Sequence, residues 1–361
     1  MKAAVRFFLG TLAIIAGVSC GEKPDLLPRE AFQGEYNGKS VDLFTISDGN
    51  VTAQLSNFGA RIVGFYGKDR NGHYDDIIVG YENIDRYLNN TGNRIFGATV
   101  GRVVNRIQDA SFELDGVVFN LSTNDGTRCL HGGEIGTDRV VWDVTENTPE
   151  SVTFHTVLPD GQDGFPGNMD ISVRYSVEDS GLSIEYTATT DKPTLCNLTN
   201  HAYFNLKGRK LGTVLDNSLM VASSSYCELV KALPTGEILP VEGTEKDFRV
   251  SRPMGEPTGG CLMLDFPMDG QLHLAVEMKD PASGRILEMF TDQPSVQLYS
   301  GGGFKGKYPG KDPEVMIGPN ELMAIEAQKP VDAIHHPNFP SIILRPGETY
   351  TQHTVYRLTH E

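Results

Sequence analysis

Period-two alternation of apolar and polar residues is the feature that most constrains the fold of this chain. Apolar residues occupy every second position on both sides of the turn Asp179-Ser180-Gly181, from Ile171 to Val177 and from Leu182 to Tyr186. Since successive side chains of a strand point to opposite faces, this pattern predicts a β-hairpin with one buried face. Two more hairpins are predicted in the same way, over residues 112–121 and 41–55.

The rest of the chain shows the same strand pattern and little helical periodicity. Tyr350, Thr354, Tyr356 and Leu358 share one parity, and Ile84 to Leu88 is predicted as one short helix. The 361 residues include 39 Gly and 20 Pro, which is typical of a structure with many turns. The sequence therefore predicts an all-β fold with few short helices, a large antiparallel sandwich or barrel.

The first 35 residues are predicted to lie outside this domain, which covers residues 36–361. Two basic residues precede an apolar run from Phe7 to Val18, which is too short to span a membrane and is typical of a signal peptide over residues 1–19. Residues 20–35 are predicted to form a flexible tether.

Cleavage before Cys20 with acylation of its thiol would anchor the chain by lipid, and this would be its only membrane contact. Plain secretory cleavage after Ser19 is the alternative, and a cysteine at this boundary favours the lipoprotein. We therefore expect export to a bacterial cell envelope or periplasm.

Net charge and cysteine spacing exclude two classes of partner. The formal charge of −16 argues against nucleic acid, because a phosphate-binding groove requires a basic excess. Four cysteines besides Cys20 allow three disulfide pairings, but no CxxC motif or Cys/His cluster occurs, so we expect scattered buried free thiols and no metal site. These cysteines are Cys129, Cys196, Cys227 and Cys261.

Three parts of the chain concentrate Asn, His, Gly and aromatic residues, an unusual composition for plain packing. They are Gly101–Ile107 with Cys129–Gly133, then Asn197–Leu206, then Ala324–Gln328. With connecting segments in the same order, such as Pro234–Glu237 and Gln297–Gly301, they resemble the aldose 1-epimerase (galactose mutarotase) family from about Val41 to Leu358. The resemblance implies a mutarotase-type β-sandwich.

The resemblance also implies the interconversion of the α- and β-anomers of free aldohexoses such as glucose or galactose. This reaction needs a base at the anomeric hydroxyl and an acid at the ring oxygen, and no metal or organic cofactor. Glu326 matches the general base of the family, and His201 matches its general acid.

Further residues match the sugar-binding positions of the family. His131 is expected to hydrogen bond to the sugar, and Asn105, Arg106 and Gln297 are expected to line the pocket. Tyr299 shares a strand face with Gln297 and is predicted to be either a pocket ring or a core aromatic.

The chain departs from the family where a sugar-binding Asp is usual, because the segment matching it places Met263 at that position. Asp265 lies two residues further along. If the segment is extended, Asp265 shares the strand face of Met263 and could take over sugar binding with a displaced reach.

Two other functions fit parts of this pattern. A carbohydrate-binding protein without turnover would explain the missing Asp, and it would bind sugar without accelerating mutarotation. A glycoside hydrolase would need two carboxylates across the scissile bond, such as Glu326 with Asp265 or Asp332, and it would release reducing sugar from glycans. The sequence indicates neither the preferred sugar nor the oligomeric state.

Overall fold

The computed structural model describes residues 23–89, 93–306 and 308–361. In this part of the chain, thirty-one strands accompany one α-helix (α1, Ile84–Leu88), at the predicted position, and four single-turn 3₁₀ helices. No helix among these residues is long and apolar enough to cross a bilayer. The 3₁₀ helices are Arg29–Phe32, Gln108–Ala110, Gln162–Gly164 and Ala333–His335.

The first fifteen strands are β1 (Gly34–Tyr36), β2 (Lys39–Val41), β3 (Leu43–Ser47), β4 (Thr52–Ser56), β5 (Arg61–Lys68), β6 (Tyr74–Asp76), β7 (Thr99–Val100), β8 (Arg106–Ile107), β9 (Ser111–Leu114), β10 (Val117–Asn120), β11 (Cys129–Leu130), β12 (Asp143–Asn147), β13 (Ser151–Leu158), β14 (Met169–Glu178) and β15 (Gly181–Thr190).

The remaining strands are β16 (Thr194–Leu195), β17 (Thr199–Asn200), β18 (Tyr203–Phe204), β19 (Ser218–Val221), β20 (Ser225–Val230), β21 (Leu233–Pro240), β22 (Arg252–Pro253), β23 (Gly259–Met263), β24 (His273–Lys279), β25 (Arg285–Thr291), β26 (Ser295–Tyr299), β27 (Tyr308–Pro309), β28 (Met316–Ile317), β29 (Met323–Gln328), β30 (Ile343–Leu344) and β31 (Tyr350–His360).

The strands form three larger antiparallel sheets and several two-stranded ribbons. A nine-stranded sheet has the order β12-β13-β14-β15-β31-β25-β24-β19-β22, and a six-stranded sheet has the order β18-β29-β26-β23-β20-β21. A four-stranded sheet, β3-β4-β5-β6, begins the domain. The three predicted hairpins are present as β14–β15, β9–β10 and β3–β4.

The nine-stranded and six-stranded sheets pack face to face around the main core. One hydrophobic cluster contains Tyr175 and Tyr356 from the larger sheet and Leu298 and Ile325 from the smaller sheet. The Tyr356 hydroxyl donates to the Ile325 carbonyl at 2.7 Å, so a hydrogen bond also joins the two layers. This arrangement confirms the predicted all-β sandwich.

The six-stranded sheet presents its second face to the loops that close the other side of the molecule. On β29, Ile325 and Ala327 are buried in the main core, and Glu326 between them projects from the opposite face. This second face carries the polar groups described below.

The segment predicted as a tether ends earlier than expected. Leu27 and Phe32 are buried, and the Leu27 backbone exchanges two hydrogen bonds of 2.9 Å with the Gln54 side chain on β4. Both side chains are part of a hydrophobic cluster of the domain, so residues 27–32 pack onto the domain. Residues 1–22, with the predicted signal peptide and Cys20, lie outside the described residues.

A buried ion pair fastens the loop between β27 and β28 to the four-stranded sheet. The Lys311 ammonium lies 2.5 Å from the Asp76 carboxylate and also donates to the Ile78 carbonyl at 2.7 Å. The two side chains are 3% and 0% exposed. Asp76 also accepts hydrogen bonds from the Phe65 and Ile78 backbone, and Arg209 lies 3.9 Å away, but Lys311 is its nearest cation.

Replacement of Lys311 by Met should destabilise the protein by about 3–5 kcal/mol, because it removes the nearest cation from a buried carboxylate. Urea unfolding measures this change. Lys39→Met is the matched control, since Lys39 pairs with Asp143 at the surface and should cost less than about 1 kcal/mol. Equal losses in the two variants would contradict the structural role of Lys311.

Candidate active site

Glu326 and Gln297 lie side by side on the loop-facing surface of the six-stranded sheet. They are directly paired across β29 and β26, so their side chains share one face. Glu326 is 2% exposed, and its Oε2 atom accepts no hydrogen bond from the described residues. The Gln297 amide donates to the Leu298 carbonyl and leaves its own Oε1 without a described partner.

The segment between β17 and β18 brings His201 to Glu326. The Thr199 hydroxyl donates to the carbonyl of Ala327, the residue after Glu326, at 2.8 Å. The His201 backbone N–H donates to the Ala98 carbonyl. His201 Nε2 consequently lies 3.5 Å from Glu326 Oε2, and the His201 side chain is 5% exposed.

Two aromatic rings contact the His201 imidazole. The Tyr203 ring centroid is 4.7 Å from that of His201, and the His131 ring centroid is 5.2 Å away in an edge-on arrangement. The catalytic candidates His201 and Glu326 and the binding candidate His131 therefore lie in one cluster.

His131 is oriented by the backbone of Asn105. The Asn105 backbone N–H donates to the His131 ring atom Nδ1 at 3.2 Å, and the His131 backbone N–H donates to the Asn105 carbonyl at 2.8 Å. Because Nδ1 accepts, the neutral ring carries its proton on Nε2. Gly132 permits this turn: its φ is +81°, and a Cβ there would lie 1.8 Å from the Gly101 carbonyl oxygen.

Arg106 is fixed beside the carboxylate by a second acidic residue. Its Nε donates to Asp125 at 2.8 Å and its Nη1 to the Asn105 side chain at 3.3 Å. The charge of Arg106 is close enough to Glu326 to oppose the effect of burial on the pKa of that carboxyl. Asp125 also binds Arg128, so it holds two guanidinium groups.

Burial controls the protonation of the central residues. Desolvation raises the pKa of Glu326 to about 8, despite the opposing effect of Arg106, and it lowers the pKa of His201 to about 3. It also holds the pKa of His131 well below its ordinary value, with His201 and Arg106 adding to the effect. Between these two pH values, the Glu326–His201 pair holds one proton.

A cleft of about 380 Å³ opens beside the cluster. Its lining includes His131 and Arg94 with Asn93, whose side-chain amide donates to the Tyr203 hydroxyl at 3.4 Å. Glu326 and His201 are not part of this lining, but its polar side chains can hydrogen bond to a small hydroxylated molecule. Within the described residues, no group of three or more His, Cys, Asp or Glu side chains is arranged to hold a metal ion.

Asp265 lies apart from the other predicted site residues. It is exposed, and it accepts a hydrogen bond from the Ser224 hydroxyl at 2.8 Å. The expectation of a shared face required an extended segment, but β23 ends at Met263. Asp332 is also occupied elsewhere, since it contacts His335 at 2.7 Å.

Met263 is not the residue of β23 that faces Gln297. Met263 pairs with Ser295, whereas Cys261 is directly opposite Gln297. The row of side chains that begins with Glu326 and Gln297 therefore continues with a buried thiol. Tyr299 shares this face, and its hydroxyl accepts a hydrogen bond from the Gly303 N–H at 2.7 Å.

Three supporting residues were not selected from the sequence. Thr199 and Tyr203 flank His201 in the segment already singled out, so their nearness to the site could have been anticipated. Asp125 precedes the Cys129–Gly133 motif in an Asn-Asp-Gly turn, and nothing in the sequence connects it with Arg106.

Comparisons with known proteins show which family the chain belongs to. The sequence profile of the aldose 1-epimerase family matches residues 42–357. Galactose mutarotase from Rattus norvegicus is 35% identical over 89% of this chain and 95% of its own length. Aldose 1-epimerase from Escherichia coli (strain K12) is 29% identical over 90% of this chain and 97% of its own length.

A solved structure resembles the whole domain. The crystal structure of an aldose epimerase homologue from C. elegans superposes with a TM-score of 0.83 at 32% identity, covering 89% of this chain and 99% of that chain. The sequence profile and the fold thus lead to the same assignment: this chain belongs to the aldose 1-epimerase family.

Proposed function

We propose that this protein is an aldose 1-epimerase that interconverts the anomers of free aldohexoses such as galactose or glucose, with Glu326 as base and His201 as acid. The observation that carries the proposal is a buried carboxylate 3.5 Å from a buried imidazole on one face of the sheet. Galactose mutarotases at 32–35% identity support the substrate class.

The reaction needs only proton transfers. The Glu326 carboxylate takes the proton from the anomeric hydroxyl while the His201 imidazolium protonates the ring oxygen. The C1–O5 bond then breaks, and the free aldehyde rotates about C1–C2. When the ring closes on the other face, the proton on O5 returns to His201, and Glu326 gives its proton to the new anomeric hydroxyl. The pair therefore ends as it began.

Sugar binding moves the shared proton from Glu326 to His201, which has to donate it to the ring oxygen. In the free protein, burial favours neutral Glu326 and neutral His201. A bound anomeric hydroxyl donates to the carboxylate, and a ring oxygen accepts from the imidazolium, so both contacts stabilise the charged form. The nearby Arg106 charge acts in the same direction.

The surrounding residues hold the pyranose. His131 offers its Nε2–H as a donor, since Nδ1 is occupied by the Asn105 N–H. Arg106 directs its guanidinium towards sugar oxygens from a position fixed by Asp125, and Gln297 offers a free amide oxygen to a hydroxyl.

Glu326→Gln and His201→Asn should each lower kcat for mutarotation by about 10²–10⁴-fold, because each removes one proton-transfer group. Polarimetric relaxation of fresh α-D-galactose and α-D-glucose measures the rates. Asp265→Asn is the matched carboxylate control and should leave kcat and KM unchanged. Full activity in either first variant, with its fold retained, would refute the assigned roles.

The pH dependence of kcat/KM should show a wide plateau. Above about pH 8 the Glu326–His201 pair loses its only proton and has no acid left, so the rate should fall. No acid limb should appear near pH 6.5, because burial lowers the pKa of His201 to about 3. Polarimetry corrected for buffer catalysis tests this profile, and an acid limb between pH 6 and 7 would contradict it.

We further propose that the protein is exported and attached to the cell envelope by lipid at Cys20. The support is the apolar run from Phe7 to Val18, followed by a cysteine at the cleavage boundary. In the envelope, the enzyme would replenish the anomer that a sugar importer takes up.

Cells fed an alkyne-tagged fatty acid should incorporate the tag into the protein, and Cys20→Ser should lose it. Cys196→Ser, which changes a buried core thiol, should keep the tag. Untagged wild-type protein in the soluble periplasmic fraction would instead indicate plain secretory cleavage after Ser19.

A further inference from the structure

Two of the buried cysteines are direct neighbours across the six-stranded sheet. Strands β20 and β23 pair Ser225 with Met263 and Tyr226 with Leu262. Continued by one residue, this antiparallel register brings Cys227 opposite Cys261. The Cys261 thiol raises the pKa of Cys227, and the Cys227 thiol lowers that of Cys261, so the two groups interact. All four described cysteines are buried free thiols, as expected, but these two are not scattered.

The backbone spacing at this position suits a disulfide bond. Directly opposite residues of an antiparallel pair have Cα atoms about 4.5–5.5 Å apart and side chains on one face. A disulfide requires a Cα separation of about 4.4–6.8 Å. The two backbone positions therefore lie within the range that a disulfide can bridge.

The two sulfur atoms lie in a closed, sulfur-rich environment. Cys227 and Cys261 are 2% and 0% exposed, and Met263 Sδ lies 3.6 Å from Cys227 Sγ. Both thiols belong to one hydrophobic cluster, whereas Cys196 belongs to a different cluster. Burial prevents a large oxidant from reaching the pair in the folded state, so oxidation has to accompany folding.

We propose that Cys227 and Cys261 form an intramolecular disulfide bond when the chain folds under oxidising conditions. The biological setting rests on the proposed export, since envelope compartments are oxidising. The oxidant is a disulfide of the oxidoreductase or glutathione type. One thiolate attacks it to give a mixed disulfide, and the second thiolate displaces the remaining thiol. The oxidant gains two electrons and two protons and leaves as two thiols.

The bond would stiffen the wall of the active site. Cys261 is directly opposite Gln297, which is directly opposite Glu326, so the disulfide extends a continuous row of side chains to β20. It would also close the loop between Cys227 and Cys261 and thereby restrict the unfolded chain.

Refolding of the full chain tests the proposal independently of export. Denatured protein is refolded in an oxidised and reduced glutathione mixture or in reductant alone, and then denatured with iodoacetamide and mapped by mass spectrometry. In the glutathione sample, the Cys227 and Cys261 peptides should be joined, while Cys129 and Cys196 are alkylated. The oxidised form should melt on the order of 5 °C higher.

Two variants and protein isolated from cells test whether the link is specific to Cys227 and Cys261. Cys227→Ser should leave Cys261 alkylated, and Cys196→Ser should leave the Cys227–Cys261 link intact. Protein recovered from the oxidising periplasm should carry the same link. Alkylation of both Cys227 and Cys261 in active protein refolded with glutathione would overturn the proposal. Absence of the chain from the envelope fraction would count against export alone, because the refolding result does not depend on it.

Discussion

The side chains of strand β29 point alternately into the main core and towards the site, and the site depends on this alternation. Ile325 and Ala327 have to enter the core between the two large sheets, so Glu326 has to project from the other face. A shift of one residue in register would exchange these positions and expose the core. The same hydrophobic packing that holds the sandwich together therefore fixes the direction of the carboxylate.

The chemistry follows from how completely this carboxylate is buried. No Lys or Arg among the described residues contacts Glu326 directly, and Arg106 compensates only part of the desolvation. The pKa of the carboxyl rises while that of His201 falls, so the two residues share one proton over a wide pH range. Ring opening requires an acid and a base at the same time. The shared proton can lie on Glu326 or on His201 without changing the total charge of the pair.

Residues near each other in sequence were predicted better than contacts between distant segments. The hairpins, α1 and the His201 segment were recognisable because alternation, turn residues and motifs are local. The surroundings of Asp265 could not be predicted from its neighbours in sequence, because they depend on where β23 ends and on the contact with Ser224. The meeting of Arg106 with Asp125 and of Cys227 with Cys261 depends on tertiary packing, for which one sequence has no local signal.

The sequence by itself determined the all-β class, the parity of β14, β15 and β31, and the family resemblance with its candidate acid and base. Tertiary structure alone decided that these candidates lie 3.5 Å apart, that both are removed from water, and that a thiol follows Gln297 along the row. The physical reason is that side-chain period is a property of each strand, whereas desolvation and proximity arise only when strands distant in sequence are brought into one sheet.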